Sequence, residues 1–372
     1  MKKLAPFLGL LIGVSLVWAA DWKVASPDYR WSFPEDHWAH RAYRTEWWYF
    51  TGHLAERNDP ERRFGYQFTL FRIGLLTERP DFDSNWTTDS LIMGHAAVTD
   101  PQRGEHRFSE LLFRETPLLG QFTLFPDPRI AWAHGPVGTS EKWTLDWNAR
   151  SFDFAMSDDR QGMAFELTTQ PLKHLVLQGP NGFSRKGDEP GAASLYYSFT
   201  RLATEGTLRV DGESLEVRGE SWMDKEFSSS QLAEEQQGWD WFSLQLDDGR
   251  DLMIYVLRAE NGTPDFAQAT LVTSDGRTRY LGTDAWSVVA TNSWKSAASG
   301  AIYPSRWTIN VPEEDLSIDV RPVLSDQENR SRLPGGVYYW EGAVDLLDAS
   351  GDRMGQGYVE LTGYGENSRP PV

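Results

Sequence analysis

The chain repeats one ordered series of strand-like segments, and this repeat limits the folds open to it more than any other feature. Residues 46–54 have the pattern Trp-x-aromatic-Phe-(Thr/Ser)-x-x-Leu, and residues 238–246 have it again. Four further matches follow in the same order, namely 64–73 with 251–258, 96–100 with 270–274, 142–145 with 306–309, and 195–197 with 337–339. Segments that match in a fixed order predict two copies of one β module, the first enlarged by longer loops.

Residues 1–19 have the composition of a Sec-type signal peptide. Lys2 and Lys3 precede an apolar run at residues 8–17, and Ala19 satisfies the small-residue rule for cleavage. The run is too short for a transmembrane helix. We therefore expect a periplasmic or secreted protein, cleaved after Ala19 and without stable membrane insertion. The chain has no cysteine, which excludes disulfides and thiol chemistry.

The charge and the aromatic content point away from nucleic acid and toward an apolar core or cavity. The formal net charge is -18, and such a surface repels phosphate backbones, so we expect no nucleic-acid partner. Aromatic residues make up 13% of the chain and stand mostly in alternating runs. This pattern is typical of strands whose faces line a core or an apolar cavity.

Nearly every segment has the pattern of a strand or a turn, which predicts an all-β fold. Asn-Gly and Asp-Gly turn signals stand beside apolar or alternating runs, at 181–182, 211–212, 248–249, 261–262 and 275–276. Only residues 231–236 could form a turn or two of helix. We predict two tandem antiparallel β-barrel or sandwich domains, residues 22–235 and 236–372.

Two polar segments rich in glycine, proline or charge stand at equivalent places in the two copies. They are residues 179–191 and 326–336, and each precedes a Tyr-Tyr strand. Matching segments on matching strands indicate either a pair of lids at a shared mouth or ordinary long surface loops.

Asp240 is the first candidate for chemistry. Strand alternation places it on one face with Phe242 and Leu244, where burial would favour its protonated form. A protonated carboxyl beside aromatic rings suits the protonation of an alkene to a carbocation, to which water then adds. The alternative is that Asp240 lies at the rim of the strand and bonds a neighbouring loop.

Three further carboxylates and one histidine are also candidates. Asp224 and Glu226 alternate onto one face with Trp222, and could serve as acid and base or form an acidic strand end held by Lys225 or Arg218. Glu46 leads the aromatic row that contains Trp48 and Phe50. His95 is either a proton carrier or a hydrogen-bonded core histidine.

Several other chemistries lack sequence support. The seven histidines include no H-x-H or H-E-x-x-H spacing, which removes the usual signals for zinc. The chain also has no G-x-S-x-G elbow, Walker loop, dinucleotide fingerprint or calcium loop. We therefore predict no metal and no cofactor.

Four motifs resemble the carotenoid 1,2-hydratase and AttH-like family of predicted secreted hydrolases. They are residues 46–49, 222–229, 238–242 and 357–364, and they span nearly the whole mature chain. The resemblance implies a tandem pair of lipocalin-like β-barrels with an apolar ligand site in or between them. It also implies that Trp239, Asp240 and Trp241 carry the hydratase role. Lys225 stands where relatives commonly have His or Arg, which weakens a proton-transfer role for that segment.

Two functions follow from the residues and the resemblance together. The first is an exported lipocalin-like protein, a hydro-lyase of the carotenoid 1,2-hydratase kind, that binds an isoprenoid, polyene or lipid and hydrates or isomerises a double bond by carboxylic-acid protonation. The second is a non-catalytic periplasmic carrier of a lipid or other hydrophobic ligand, associated with an ABC exporter. A closed pocket with a buried acid favours the enzyme, and a wide, wholly apolar cavity favours the carrier. The predicted catalytic residues are Asp240, Asp224, Glu226 and Glu46. The predicted substrate-binding residues are Trp48, Tyr49, Trp222, Trp239, Trp241, Tyr196, Tyr338 and His95.

Overall fold

The computed structural model describes residues 21–139, 141–189, 191–230, 232–333, 336–366 and 368–370. The predicted signal peptide lies outside these residues. The helices of the described part are three short 3-10 turns, Glu35–His37, Pro180–Gly182 and Pro312–Glu314, and none is long and apolar enough to cross a membrane. All other regular structure is antiparallel strand, which confirms the predicted all-β fold class.

The first sheet contains 13 strands and curls into a nearly closed barrel. Its main path runs β4-β3-β2-β1-β13-β12-β9-β8-β7-β6-β5, and β10 and β11 pair with β12. The strands are β1 (Thr45–Glu56), β2 (Arg63–Gly74), β3 (Ser90–Asp100), β4 (Glu105–Arg114), β5 (Gly120–Phe122), β6 (Arg129–His134), β7 (Lys142–Asn148), β8 (Ser151–Asp158), β9 (Met163–Pro171), β10 (Val176–Leu177), β11 (Phe183–Arg185), β12 (Ala193–Val210) and β13 (Glu213–Ser228).

The second sheet contains ten strands in the order β17-β16-β15-β14-β23-β22-β20-β19-β18, and β21 pairs with β22. The strands are β14 (Gln236–Leu246), β15 (Asp251–Ala259), β16 (Pro264–Val272), β17 (Thr278–Leu281), β18 (Ser287–Lys295), β19 (Ile302–Val311), β20 (Leu316–Pro322), β21 (Glu328–Arg330), β22 (Tyr338–Leu347) and β23 (Arg353–Leu361). The strand order around β14 and β23 repeats the order around β1 and β13.

Four of the five matched sequence pairs lie on strands that hold equivalent positions in the two sheets. The match of residues 142–145 with 306–309 was wrong, because Trp143 lies on β7 whereas Trp307 lies on β19, the counterpart of β8. Both side chains are buried in the core of their own sheet. Aromatic and apolar residues alternate on many strands of these sheets, so that pattern alone does not identify the strand.

The predicted Tyr-Tyr match is shifted by one residue. Tyr197 stands opposite Lys225 in the first sheet, and Trp340 stands opposite Leu361 at the equivalent place in the second. Tyr196 therefore corresponds to Tyr339 and not to Tyr338. A shift of one residue moves a side chain to the other face of a strand, and this matters for the site below.

The segments around the predicted domain boundary and the two polar loops are more extended than expected. The described residues 232–236 form a bend and a turn before β14, so the predicted helical turn is wrong there. The division into residues 22–235 and 236–372 stays a prediction. The polar segments 179–191 and 326–336 contain β11 and β21, each of which adds a short strand to a Tyr-bearing neighbour.

Each sheet has its own apolar core, and the two sheets share a third. Trp48 and Phe50 lie in the first core, and Phe242 lies in the second. The shared core joins outward-facing aromatic residues of both sheets; Tyr49 and Trp241 meet edge to face with ring centroids 5.1 Å apart. Strands β1, β2, β12 and β13 therefore bury an outer face against β14, β15, β22 and β23.

Polar contacts and one glycine fix the distance between the sheets. His53 Nε2 donates to the Gly357 carbonyl at 2.8 Å, and Asp251 accepts from Lys173 and Arg201 at 2.6 and 2.7 Å. A Cβ placed on Gly65 would stand only 2.6 Å from the Ala343 Cβ. The sheets approach closely here because Gly65 has no side chain.

We expect Gly65→Ala to lower the free energy of unfolding by about 1–3 kcal/mol, because the added methyl overlaps Ala343 in a packed interface. Ala343→Gly in the same chain should restore most of the loss, since the other atoms near the new Cβ are at 3.6 Å or beyond. Urea unfolding of both single variants and the double variant measures this coupling. Additive single effects would show that the sheets do not meet at Gly65.

Candidate functional site

A narrow cavity of about 90 Å³ lies between the two sheets, and we call it the intersheet cavity. It has room for several water molecules. Both sheets and one loop contribute to its wall. The lining residues are Trp47, Tyr49, Gln67, Thr69, Phe71, Lys186, Tyr196, Asp224, Glu226, Trp239, Trp241, Tyr255, Leu257, Tyr339, Glu341 and Glu360.

Asp224 on β13 is held by neutral hydrogen-bond donors. Its Oδ1 accepts from Trp222 Nε1 at 2.7 Å and from Ser198 Oγ at 2.5 Å. The Ser198 hydroxyl itself accepts from Gln178 Nε2, so its proton is directed at Asp224. Both donors to Oδ1 are thus fixed, which leaves Oδ2 as the oxygen that gains or loses a proton.

Oδ2 of Asp224 lies 2.5 Å from the Tyr196 hydroxyl, which also accepts from Trp241 Nε1 at 3.2 Å. When Asp224 is protonated, it donates to Tyr196 and leaves the phenol proton free to point into the cavity. When Asp224 is ionised, that phenol proton turns to Asp224. Burial raises the pKa of Asp224 to about 7, despite these hydrogen bonds. The pair can therefore give or take one proton near neutral pH.

The opposite wall carries two further carboxyls, the buried Glu341 and the half-buried Glu360. Glu360 on β23 accepts from Trp239 Nε1 at 2.8 Å. Burial raises its pKa to about 7, and Asp224 and Glu226 act in the same direction. Burial, with Glu360 nearby, raises the pKa of Glu341 well above its usual range. Asp224 and Glu360 hold equivalent positions, since they stand opposite Tyr49 and Trp241 on equivalent strands.

One cation completes the site. Lys186 extends from the 179–191 segment, and its Nζ lies 2.7 Å from Glu226 Oε1 and 4.2 Å from the centre of the Tyr255 ring. Burial opposes the charge, but Glu226 outweighs it and raises the pKa of Lys186. Ser194 also donates to Glu226. Glu226 is therefore held as the partner of an ammonium group, whereas Asp224 has only neutral donors.

Three buried polar atoms of the cavity wall lack a hydrogen-bond partner among the described residues. They are Tyr49 Oη, Gln67 Oε1 and Glu341 Oε1. An unpaired polar atom in the interior costs about 1–3 kcal/mol. Such atoms at the wall of one cavity are suited to bind water or the polar groups of a ligand.

The structure brings six of the predicted site residues together at the intersheet cavity. They are Asp224, Glu226, Tyr49, Tyr196, Trp239 and Trp241. Two more lie directly behind its wall: Trp222 bonds Asp224, and His95 Nδ1 lies 2.8 Å from the Tyr339 hydroxyl. Burial lowers the pKa of His95 to about 4, so it is neutral at physiological pH.

Asp240, the first candidate, does not reach this cavity. The predicted alternation is right, but the face that holds Asp240 and Phe242 is the inner face of the second sheet, and Trp239 and Trp241 line the cavity instead. Asp240 is not a lone carboxyl either, because Arg258 Nε lies 2.8 Å away and the Tyr364 hydroxyl donates to it. Sequence alone cannot tell which face meets the other sheet when both faces are apolar.

Glu46 and Trp48 face the interior of the first barrel, so neither lines the cavity. Glu46 forms an ion pair with Lys225 at 2.6 Å and another with Arg72, and all three side chains are almost fully buried. Lys225 Nζ also lies 3.3 Å from the centre of the Trp48 ring. Although burial opposes ionisation, the two cations hold the pKa of Glu46 well below its usual range. This carboxylate is suited to hold β1, β2 and β13 together.

Tyr338, the last of the predicted site residues, does not line the cavity. Its neighbour Tyr339 does, because the one-residue shift in the Tyr-Tyr match places Tyr339 on the face of β22 that meets the first sheet. Sequence reasoning also missed Glu341, Glu360 and Lys186. The repeat contained a signal for Glu360, since residues 222–229 and 357–364 occupy equivalent strands and Glu360 corresponds to Asp224. No such signal was available for Lys186, which comes from an irregular segment.

Comparisons with known proteins agree with this architecture. A family model described as AttH-like matches residues 24–364. The solved structure of an AttH homologue from Nitrosomonas europaea is 31% identical, with a TM-score of 0.79, and the alignment covers 92% of this chain and 99% of that one. Kievitone hydratase from Nectria haematococca has the same fold at 15% identity, with a TM-score of 0.64 and coverage of 92% and 96%. No curated protein matches the chain.

Asp224→Asn should change how stability depends on pH. The folded pKa of Asp224, about 7, lies above that of an exposed aspartate, so the wild-type protein takes up a proton on folding and loses stability as the pH rises toward 7. Asn cannot lose that proton. The free energy of unfolding of the variant minus that of wild type should therefore increase between pH 5 and pH 8, by on the order of 2 kcal/mol. Urea titrations at both values test this, and an equal difference at both would contradict a protonated Asp224.

Glu46→Gln should lower the free energy of unfolding by about 3–5 kcal/mol, because it leaves Lys225 and Arg72 buried without their counter-charge. The matched control is Glu205→Gln, which breaks the exposed pair with Arg57 and should cost less than about 1 kcal/mol. Chemical denaturation compares the two. Similar small effects in both would show that the buried cluster is not ionised.

Proposed function

The chain belongs to the AttH-like family, and we propose that it is an enzyme that adds water across a carbon–carbon double bond of a small hydrophobic molecule. The reaction takes place in the intersheet cavity. The observation that carries this proposal is the Tyr196–Asp224 pair, whose one transferable proton faces a narrow aromatic cavity opposite a second carboxyl, Glu360. The name and fold of kievitone hydratase support hydration as the reaction class.

The acid is Tyr196 with Asp224 behind it. In the protonated state Tyr196 gives its phenol proton to one alkene carbon, and Asp224 Oδ2 passes its own proton to the phenol oxygen. Asp224 is left as a carboxylate, which its three donors from Trp222, Ser198 and Tyr196 stabilise. The other alkene carbon becomes a cation, and aromatic rings that line the cavity, such as Tyr49 and Trp241, can stabilise it.

Glu360 is the base on the opposite wall. Water attacks the cationic carbon, and Glu360 accepts the proton that this water loses. Exchange with solvent then returns a proton to Asp224 and removes one from Glu360, so that the net change is the addition of one water. Both pKa values are near 7, and an ionised Asp224 raises the pKa of Glu360, so a state with one proton shared between the two carboxyls is accessible at neutral pH.

The character of the cavity favours the enzyme over the carrier. A carrier calls for a wide, apolar cavity, but this one is about 90 Å³ and contains four carboxyls and a lysine. An engineered apolar cavity that holds benzene has about 150 Å³, so a larger substrate needs some wall residues to move aside. Trp47 and Trp239 are only partly buried and are the side chains best placed to do so. Export and an exporter partner stay predictions from the sequence.

The test measures hydration directly. The protein is incubated in ¹⁸O-water with a panel of prenylated phenols and acyclic polyenes, and mass spectrometry detects products that have gained one labelled water. Tyr196→Phe, Asp224→Asn and Glu360→Gln should each lower turnover by about 10² or more with little change in affinity. Glu166→Gln, an exposed carboxyl on β9, is the control and should retain full turnover.

Two outcomes would reject the proposal. Ligand binding without any labelled product across the panel would favour the carrier. Full turnover in Asp224→Asn together with loss of turnover in Asp240→Asn would move the acid to the residue that the family resemblance suggested.

A further inference from the structure

A second cavity, of about 450 Å³, lies on the inner side of the second sheet and shares no lining residue with the intersheet cavity. Residues of β14, β15 and β16 form one side, and residues of β18 and β19 form the other. This volume falls within the range of small-molecule sites. Val256, Trp286 and Trp307 give the wall large apolar surfaces.

The polar part of the second cavity is a compact group of three side chains, and the exposed Asp265 and Thr283 also line the wall. Arg258 Nε donates to Asp240 Oδ1 at 2.8 Å, and the guanidinium lies 3.8 Å from the centre of the Tyr364 ring. The Tyr364 hydroxyl lies 2.9 and 3.0 Å from the two Asp240 oxygens. The Arg258 and Asp240 side chains are 8% and 15% exposed. The group is thus charged internally but neutral as a whole.

This polar group and its neighbour have unused hydrogen-bonding capacity. Arg258 uses Nε and Nη2, and Nη1 makes no hydrogen bond to a described residue. Asp240 Oδ2 accepts only from Tyr364 within the described chain and can accept again. Trp286 Nε1 is buried and has no hydrogen-bond partner among the residues that the structure describes. Arg258 and Asp240 therefore supply one free donor and one free acceptor beside an apolar wall.

We propose that the second cavity is a binding site for an apolar molecule with a hydroxyl head group. A hydroxyl both donates and accepts, so it can donate to Asp240 while it accepts from Arg258. A carboxylate head would face Asp240, and an ammonium head would face Arg258. Neither gains a net counter-charge from a pair that is already neutral. The apolar body of the ligand lies against Val256 and Trp307.

The test uses three probes with one chain length, namely 1-octanol, octanoate and n-octylammonium, and ligand-observed NMR to measure affinity. We expect 1-octanol to bind at least about tenfold more tightly than either ion, which corresponds to ~1.4 kcal/mol. Comparable affinities for all three probes, or no saturable binding of 1-octanol, would overturn the proposal.

Two adjacent residues of β15 locate the bound probe. Val256 lines the second cavity, whereas Leu257 points to the intersheet cavity. Val256→Phe should weaken 1-octanol binding by about tenfold or more, and Leu257→Phe should not. The reverse result would place the probe between the sheets and reject the site. Thermal unfolding of each variant confirms that it is folded.

A charge variant tests the head group separately from the fold. Asp240→Asn leaves Arg258 without its partner, so the site becomes positive. Octanoate should then bind more tightly than 1-octanol, which reverses the wild-type order. An unchanged order of affinity would show that Asp240 and Arg258 do not contact the head group. Because no residue is shared with the intersheet cavity, this result stands or falls independently of the proposed hydration.

Discussion

The packing of one sheet against the other is the constraint on which the rest of the structure depends. It requires β1, β13, β14 and β23 to bury both faces, one in the core of their own sheet and one in the shared core. On a strand buried on both faces, a polar side chain without a partner is costly. The carboxyls of these strands are therefore forced into two kinds of surroundings, the interior of a sheet or the boundary between sheets.

These surroundings give the same functional group opposite properties. Glu46 faces the interior of the first barrel, where Lys225 and Arg72 keep it ionised. Asp224 is next to Lys225 on β13 but faces the boundary between the sheets. Neutral donors surround it there, and burial favours its protonated form. A carboxylate that fixes strands and a carboxyl that can exchange a proton thus differ in their partners. Depth of burial does not distinguish them.

The sequence predicted the architecture well and the site in part. The repeat and the alternation of apolar residues were enough for an all-β fold with two related sheets, because both signals are local and each copy supports the other. Alternation also grouped Trp222 with Asp224 and Trp239 with Trp241 correctly. It also placed Asp240 with Phe242 on one face of β14, as the structure has it, but it could not show that the opposite face, with Trp239 and Trp241, meets the first sheet. Lys186 depends on the path of an irregular segment, for which periodicity holds no information.

The correspondence between Asp224 and Glu360 has a consequence for how such a site can arise. One module that associated with a second copy of itself would form an isologous dimer, in which a two-fold axis makes both walls identical. Identical walls would carry the same residue at both positions. Joining the copies in one chain removes that restriction, because each wall can then change alone. Ser198 and Glu341 show this freedom: they hold equivalent positions, yet one donates to a carboxyl and the other is itself an acid.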